Sequence, residues 1–260
     1  VDIVVTSPPY NIGVEYRTYD DTQPRSAYLQ WLQQWADEIH RVLKPDGSLF
    51  LNIGSKPSDP WVPLQAAAAV AGSSTLAELA ESSRFKLQNT FHWIKSISIN
   101  AHGQNGEHNE VLSFGHYKPI NSNTHVHDTH EYVFHFSKSG TVPLDRLALG
   151  VPYQDKSNLQ RWDAARDDMR CRGNCWFIPY ETIQNRMDER PHPAIFPVQL
   201  AEWCIRIHGY HSATLVIDPF AGIGSTGVAC IQLGVSFLGF ELDSAYFSVA
   251  VERLQIALEN

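Results

Sequence analysis

Residues 214–227 read TLVIDPFAGIGSTG, a strand-turn-helix pattern that predicts an α/β fold. A run of apolar, mostly β-branched residues enters a turn with glycines at positions 222, 224 and 227, and residues 228–233 are typical of a helix. Glycine permits a tight turn and lets a nucleotide-like ligand approach the N-terminus of the helix. A tight turn that binds no ligand is the alternative interpretation.

An acidic residue follows this turn at a spacing that is typical of nucleotide sites. The stretch FLGFE, residues 237–241, predicts a strand that ends in Glu241. A carboxylate about twenty residues after a glycine turn binds a ribose hydroxyl in such sites. A dinucleotide dehydrogenase would use the same glycines and the same acid. However, only two helices and one strand follow the turn, which is too little for a dinucleotide half-sheet.

A second motif lies near the start of the chain, where IVVTSPPYNIG begins at Ile3. An apolar strand runs into Ser7-Pro8-Pro9-Tyr10. Two successive prolines remove two backbone donors and stiffen the turn, so neighbouring carbonyls stay free as acceptors. Acceptors beside a hydroxyl and an aromatic ring suit a flat base with an exocyclic amine. A proline-capped loop after a buried strand is the alternative.

Together the two motifs resemble those of the beta-class DNA amino-methyltransferases, which move a methyl group from S-adenosylmethionine to a base amine. Ser7-Pro8-Pro9-Tyr10 resembles their catalytic motif, and residues 218–224 resemble their cofactor motif. The catalytic motif comes first, as in the beta class. Many adenine-modifying members have a Gln-Lys pair where this chain has Ile195-Phe196. Further resemblance lies in residues 43–54, 91–95, 129–136 and 190–197, whereas 98–128 and 138–175 show none.

This resemblance implies which residues form the site. Ser7, Pro8, Pro9 and Tyr10 would be catalytic: the Ser7 side chain and the Pro8 carbonyl accept the amine hydrogens, and Tyr10 stacks on a base flipped out of the duplex. The implied cofactor-binding residues are Asp218, Phe220, Ala221, Gly222, Gly224, Ser225, Thr226, Glu241, Asp243, His192 and Pro193.

The residue at position 7 bears on which base is methylated. Cytosine enzymes of the family usually have Ser at the position matching Ser7, whereas adenine enzymes usually have Asp. We therefore expect a cytosine methylated on N4, with N6-adenine methylation as the alternative. Transfer would be direct and in line, with most of the rate enhancement coming from positioning.

The charge of the chain bears on its expected partner, double-stranded DNA. A net charge of −8 opposes DNA binding, because neutralising phosphates normally requires a basic surface. Basic residues are nevertheless concentrated in residues 156–172, although a solvated helix face is the alternative there. The expected DNA-binding residues are Lys118, Arg161, Arg166, Arg170 and Arg172. A cognate restriction endonuclease is a further candidate partner.

Length and pattern predict one large core with a Rossmann-like, mostly parallel sheet flanked by helices and with room for a smaller lobe. The resemblance implies that this smaller lobe is a target-recognition region. We expect strands at 2–6, 48–53, 89–95, 131–136, 214–218 and 236–241, and helices at 26–43, 62–81, 198–208, 225–233 and 244–258. The strands 2–6 and 214–218 should be close, so that Ser7 and Gly222 face one cleft. The predicted divisions are a catalytic half (1–97), a DNA-facing loop (98–128), a catalytic-domain strand (129–137), a candidate target-recognition region (138–175) and a cofactor-binding half (176–260).

Other features narrow the class of protein. The chain has no run of membrane-spanning length and no visible signal peptide, so we expect a cytoplasmic protein of a prokaryote or phage-like source, with its four cysteines reduced. His125, His127, His130 and Asp128 could chelate a metal at short spacing. Methyl transfer needs no metal, however, and none is predicted.

The start of the chain departs from the family pattern. Family members usually carry a helix, and often a strand, before the catalytic strand, and nothing in this sequence matches them. The sequence therefore predicts a truncated protein. An inactive DNA-binding relic is the corresponding alternative, and it should bind no cofactor.

Overall fold

The computed structural model describes residues 1–73, 83–95, 99–100, 112–113, 121–160, 168–179 and 194–259. Within these ranges the strands are β1 (Ile3–Thr6), β2 (Ser48–Ile53), β3 (Lys86–Ile94), β4 (Ile99–Asn100), β5 (Leu112–Ser113), β6 (His130–Ser137), β7 (Cys175–Phe177), β8 (Leu215–Asp218) and β9 (Ser236–Gly239). The helices are α1 (Arg25–Val42), α2 (Val62–Ala71), α3 (Val198–His208), α4 (Ser225–Leu233) and α5 (Ser244–Glu259), and Lys156–Gln160 form a 3₁₀ turn.

Seven of these strands form one sheet in the order β7-β3-β6-β2-β1-β8-β9, and β4 pairs with β5 separately. Strand β6 is antiparallel to both of its neighbours, and the other neighbouring pairs are parallel. Strand β1 lies between β2 and β8, with Ile3 opposite both Ser48 and Val216. The predicted mostly parallel α/β sheet is confirmed, and so is the predicted closeness of the strands at 2–6 and 214–218.

The apolar core covers both faces of the sheet. Side chains alternate along β1, so Ile3 and Val5 point into the layer beneath α3 and α4, while Val4 points into the layer beneath α1 and α2. A strand that is buried on both faces is expected to read as a continuous apolar run, as β1 does. Burying each such side chain stabilises the fold by roughly 1.5–3 kcal/mol, which holds the start of the loop with Ser7 and Tyr10 in place.

Some elements differ from the sequence-based prediction. The helix predicted over 62–81 ends at Ala71, because Gly72 adopts a left-handed conformation with φ of 81°. The strand predicted to end at Glu241 ends at Gly239, so Glu241 lies in the following loop. Strand β7 was not predicted. With only three residues it carries too little alternation to be recognised.

In the described part of the chain, no helix is long and apolar enough to cross a membrane. The same part contains no group of three or more His, Cys, Asp or Glu side chains placed to hold a metal ion. Cys204 and Cys230 are buried, and Cys171 and Cys175 are exposed.

A series of hydrogen-bonded polar side chains links β3, β6, β2 and α3. It lies at the end of the sheet opposite the carboxyl ends of β1 and β8. His135 contacts Asn89 through Nδ1 at 3.0 Å and Ser48 Oγ through Nε2 at 2.8 Å. The Ser48 hydroxyl also contacts His208 Nδ1 at 2.9 Å. Burial, with a smaller effect of His208, lowers the pKa of His135 from 6.5 to about 3. His135 is therefore neutral in the folded protein at pH 5.

We expect this histidine to make the fold less stable in mild acid. As the pH falls below 6.5, the unfolded chain binds a proton that folded His135 does not bind, so the free energy of unfolding should fall by about 2 kcal/mol between pH 7 and pH 5. Asp218, whose pKa is raised to about 6, acts in the opposite direction. Urea unfolding of His135→Gln and the wild type at both pH values isolates the histidine contribution. An equal pH dependence in the two proteins would contradict this prediction.

Candidate active site

A cleft of about 620 Å³ opens at the carboxyl ends of β1 and β8. This volume falls within the range of small-molecule sites. Residues of both sequence motifs line the cleft, which confirms the prediction that Ser7 and Gly222 face the same site. The predicted site residues in its wall are Ser7, Pro8, Pro9, Tyr10, Phe220, Ala221, Gly222, Ser225 and Glu241.

The turn between β8 and α4 has the backbone that its glycines predict. Gly222 and Gly224 have φ of 52° and 81°, a region that side chains rarely adopt. A Cβ at Gly224 would also lie 3.3 Å from that of Ala250 on α5. The turn presents the start of α4 to the cleft, where Ser225 Oγ is buried and has no hydrogen-bond partner among the described residues. This end of the cleft therefore offers donors to a ligand.

Asp218 ties this turn to the end of β1. Its carboxylate accepts hydrogen bonds from Thr6 Oγ1 and Thr226 Oγ1, both at 2.7 Å, and from Phe220 N at 3.1 Å. Burial raises the pKa of the Asp218 carboxyl to about 6, although these hydrogen bonds lower it. Neither Asp218 nor Thr226 lines the cleft. Their side chains hold β1 and the glycine turn together instead of facing a ligand.

Glu241 stands in the wall of the cleft and holds two loops in place. Its Oε2 accepts from Gly222 N at 2.9 Å, and its Oε1 accepts from Asp243 N at 2.8 Å. Each carboxylate oxygen can accept a further hydrogen bond, so the predicted ribose contact is compatible with this arrangement. Asp243 caps α5 by accepting from Ala245 N and Tyr246 N, and it does not line the cleft.

The loop after Pro8 and Pro9 is shaped by a carboxylate that was not predicted from the sequence. Asp21 is 2% exposed and accepts backbone hydrogen bonds from residues 11–14 at 2.7–3.1 Å. These bonds hold Asn11 and Gly13 at positive φ, of 57° and 88°. The signal in the sequence was weak, because an aspartate seven to ten residues downstream is not part of any short turn motif.

The two proline carbonyls have different partners. Tyr28 on α1 donates its hydroxyl to the Pro9 carbonyl at 2.8 Å. No described residue donates to the Pro8 carbonyl. The predicted contact of the Pro8 carbonyl with a ligand is compatible with this arrangement and stays a prediction.

Ser7 and Tyr10 are joined to a buried ion pair. The Tyr10 hydroxyl lies 2.9 Å from Ser7 Oγ and donates to Glu131 Oε2 at 2.8 Å. Asn52 Nδ2 donates to the same Glu131 oxygen at 2.8 Å, and Lys95 Nζ donates to Glu131 Oε1 at 2.6 Å. The roles of Glu131 and Asn52 were not predicted from the sequence. The available signal was a charged residue inside the buried strand HEYVFHF, since such a charge requires a partner.

The ionisation of this group follows from its partners. Burial opposes ionisation of Glu131, but the Lys95 charge and hydrogen bonds from Lys95, Tyr10 and Asn52 outweigh it, so the pKa of this carboxyl lies below its ordinary value. Burial raises the pKa of the Tyr10 phenol well above its usual range, and the Glu131 charge adds to that effect. At neutral pH, Glu131 is ionised and Tyr10 is a neutral phenol.

The predicted DNA-binding residues are only partly described. Lys118, Arg161 and Arg166 lie outside the described residues, as do His192 and Pro193 of the predicted cofactor set. Arg170 is exposed. Arg172 donates to the Leu149 carbonyl at 3.0 Å, and its guanidinium carbon lies 4.6 Å from the centre of the Trp203 ring. Arg172 therefore packs against α3, although it remains exposed.

The start of the region predicted to recognise DNA lies far from the cleft. The Val142 carbonyl accepts from Gln88 Nε2 near the start of β3, and Asp145 N donates to the Ile207 carbonyl at the end of α3. Both contacts lie at the sheet end opposite Ser7. Residues 156–160 form a 3₁₀ turn and Arg170 pairs with Val151, so the described parts of 156–172 do not form the continuous helix of the alternative interpretation.

An open, mostly parallel sheet with a glycine turn at its carboxyl edge is typical of nucleotide-binding enzymes. The family model N6_N4_Mtase, described as DNA methylase, matches residues 1–252. The chain therefore belongs to this DNA methylase family. It is a DNA methyltransferase of the N4/N6 class, whose cofactor is S-adenosylmethionine.

Individual relatives agree with this membership. Type II methyltransferase M.HpaI from Haemophilus parainfluenzae is 25% identical over 254 residues, which cover 98% of this chain and 68% of that protein. DNA adenine methyltransferase YhdJ from Escherichia coli K12 is 26% identical over 258 residues, covering 99% of this chain and 77% of that protein. This chain spans 63% to 77% of the lengths of three curated relatives.

Solved structures share the fold. PvuII DNA methyltransferase, which is named cytosine-N4-specific, matches with a TM-score of 0.64 at 19% identity over 97% of this chain and 79% of that chain. Two further similar structures, with TM-scores of 0.58 and 0.53, are complexes with S-adenosylmethionine.

Proposed function

We propose that this protein transfers a methyl group from S-adenosylmethionine to N4 of a cytosine that is flipped out of double-stranded DNA. The observation that carries the proposal is the shared cleft, which Ser7 and Pro8 line together with the glycine turn. A base amine inside a duplex is out of reach of such a cleft, so the nucleotide must leave the stack.

The residues at the turn fit the proposed cofactor. Ser225 Oγ is a buried polar atom without a partner in the described chain, and Gly222 adds no side chain to the wall of the cleft. Gly224 does not line the cleft, but its positive φ shapes the turn. Glu241 would bind the ribose hydroxyls, and Phe220 would contact the cofactor from the side of α1. Ile195 and Phe196 also line the cleft, so the contacts at these two positions would be apolar. When bound, the cofactor supplies a methyl group activated by a sulfonium.

The residues of the proline corner would act on the amine. Its lone pair is delocalised into the ring, so the nitrogen is a poor nucleophile. Ser7 Oγ and the Pro8 carbonyl accept its two hydrogens and turn the lone pair toward the methyl group. The nitrogen–carbon bond would form as the sulfur–carbon bond of the cofactor breaks and leaves a neutral thioether, and the amine would then lose one proton to water. Stacking of the base on Tyr10 contributes about 1–3 kcal/mol, as in single-strand binding proteins.

Ser7 favours cytosine as the base, since the residue at this position resembles the cytosine subgroup of the family. The relative named as an adenine methyltransferase, YhdJ, keeps N6-adenine methylation as the second candidate.

The proposed DNA-binding surface consists of the predicted basic residues other than Arg172. We place it on Lys118, Arg161, Arg166 and Arg170, with the target-recognition region limited to the later part of 138–175. Arg172 is left out because it is held by Leu149 and Trp203. Relatives named as type II methyltransferases support a paired restriction endonuclease as a partner.

Nucleoside mass spectrometry tests this function directly. After incubation with labelled cofactor and mixed-sequence DNA, we expect N4-methylcytosine as the main product, without a covalent enzyme–DNA adduct. N6-methyladenine as the main product would overturn the choice of base and leave the class of reaction intact. Methylation at cytosine carbon-5, or a trapped adduct, would overturn the mechanism. If no methylated nucleoside forms while cofactor binds, the proposed activity itself is wrong.

A further inference from the structure

A continuous hydrogen-bonded path leads from the proposed catalytic hydroxyl to a buried charge. It runs from Ser7 Oγ to the Tyr10 hydroxyl and on to Glu131 Oε2, over distances of 2.9 and 2.8 Å. Lys95 holds the second oxygen of Glu131 at 2.6 Å. Glu131 is 9% exposed, so its charge is shielded from water and its partners determine its effect.

The ionised carboxylate determines where each hydrogen on this path lies. Glu131 has no hydrogen to give, so the hydrogen between it and Tyr10 belongs to the phenol. Asn52 Nδ2 also points toward the Tyr10 oxygen, at 3.2 Å. A neutral phenol has a single hydrogen, which Glu131 already takes. In the contact between Tyr10 and Ser7, the hydrogen must therefore come from Ser7.

We infer that Glu131, held by Lys95, is a positioning residue that makes Ser7 an acceptor for the hydrogens of the target amine. The inference rests on the proposed function. A free serine hydroxyl can donate as well as accept. If its hydrogen pointed at the amine, it would occupy the lone pair that must attack the methyl group. With that hydrogen directed to Tyr10, the lone pairs of Ser7 Oγ stay available for the amine, whose positive charge grows as the bond forms.

A double-mutant cycle tests this role. Glu131→Gln should slow single-turnover methylation of mixed-sequence DNA by about 100-fold, because a misoriented acceptor costs that much in a reaction that depends on positioning. In a Ser7→Ala background the same substitution should change the rate by less than about twofold, since the group it orients is gone. Equal effects of Glu131→Gln in both backgrounds would assign Glu131 a purely structural role and overturn the inference.

Two more variants guard against loss of folding. Tyr10→Phe keeps the ring and the ion pair but breaks the path, so it should slow the reaction to a similar extent and make Glu131→Gln nearly without further effect. Glu202→Gln is the matched control, because it also removes a glutamate from an ion pair. The Glu202 carboxylate pairs with Arg206 on α3 at 2.6 Å. The Glu202→Gln variant should keep the wild-type rate. A wild-type rate in Tyr10→Phe would also overturn the inference.

A titration of Tyr10, which does not depend on methylation, separates this inference from the proposed function. In protein labelled with ¹³C at the tyrosine Cζ, the Tyr10 signal is identified by its loss in Tyr10→Phe. Glu131→Gln should move the titration of Tyr10 to lower pH, because an adjacent negative charge no longer favours the neutral phenol. An unchanged titration would mean that Tyr10 does not donate to Glu131, and it would overturn the inference even if the wild type methylates DNA. If the wild type does not methylate DNA, the proposed function fails, and this titration separately decides whether Tyr10 donates to Glu131.

Discussion

Ser7→Ala should slow methyl transfer by about 100-fold, which corresponds to a barrier higher by about 2.7 kcal/mol. The substitution removes one of the two acceptors that orient the amine, while the Pro8 carbonyl remains. Cofactor affinity should stay within about twofold of the wild type, because the glycine turn and Glu241 are unchanged. Single-turnover kinetics with labelled cofactor measure the rate, and calorimetry measures the affinity.

A matched serine provides the control for this experiment. Ser139 lies in an exposed turn near the start of β3, where its hydroxyl accepts from Thr141 N at 3.1 Å. Ser139→Ala should keep the wild-type rate. If Ser7→Ala also kept it, the hydroxyl would not contact the amine, and the proline corner would act through its carbonyl and ring only.

Gly224→Val should weaken cofactor binding by roughly 10- to 100-fold. We expect the substitution to remove a hydrogen bond between the start of α4 and the cofactor, and a hydrogen bond to a charged group is worth about 1.5–3 kcal/mol. Gly224 has φ of 81°, and a Cβ there would lie 3.3 Å from the Cβ of Ala250. A branched side chain must shift the turn away from α5, and this shift moves the start of α4 and the Ser225 hydroxyl. The strain itself should also lower the free energy of unfolding by about 1–3 kcal/mol.

Gly234 separates strain from loss of the site. It also has a positive φ, 67°, but it lies at the other end of α4 with nothing within 4 Å of a Cβ. Gly234→Val should lower the free energy of unfolding to a similar extent and leave the dissociation constant of the cofactor unchanged. Calorimetric titration and urea unfolding of both variants measure the two quantities. Equal cofactor affinities in the two variants would show that the glycine turn does not hold the cofactor.

Much of the fold could be predicted from short stretches of sequence. The bounds of β2, α3 and α4 match the prediction residue for residue. Such features depend on interactions within a few residues, such as the alternation of apolar side chains and the conformational freedom of glycine. Helix α2 was predicted too long because its apolar pattern was given more weight than Gly72, whose left-handed conformation ends the helix.

The sequence by itself therefore determined the two motifs, the class of the sheet and the shared cleft. Only the tertiary structure brought Glu131 to Tyr10, 121 residues away along the chain, and Asn52 to Glu131, 79 residues away. It also assigned Asp218 and Asp243 to holding the turn and capping α5, and Arg172 to packing on Trp203. Local stretches of sequence do not encode these partners. They meet because β6 lies next to β2 in the sheet, and a buried charge is then satisfied by whichever polar groups that strand order places beside it.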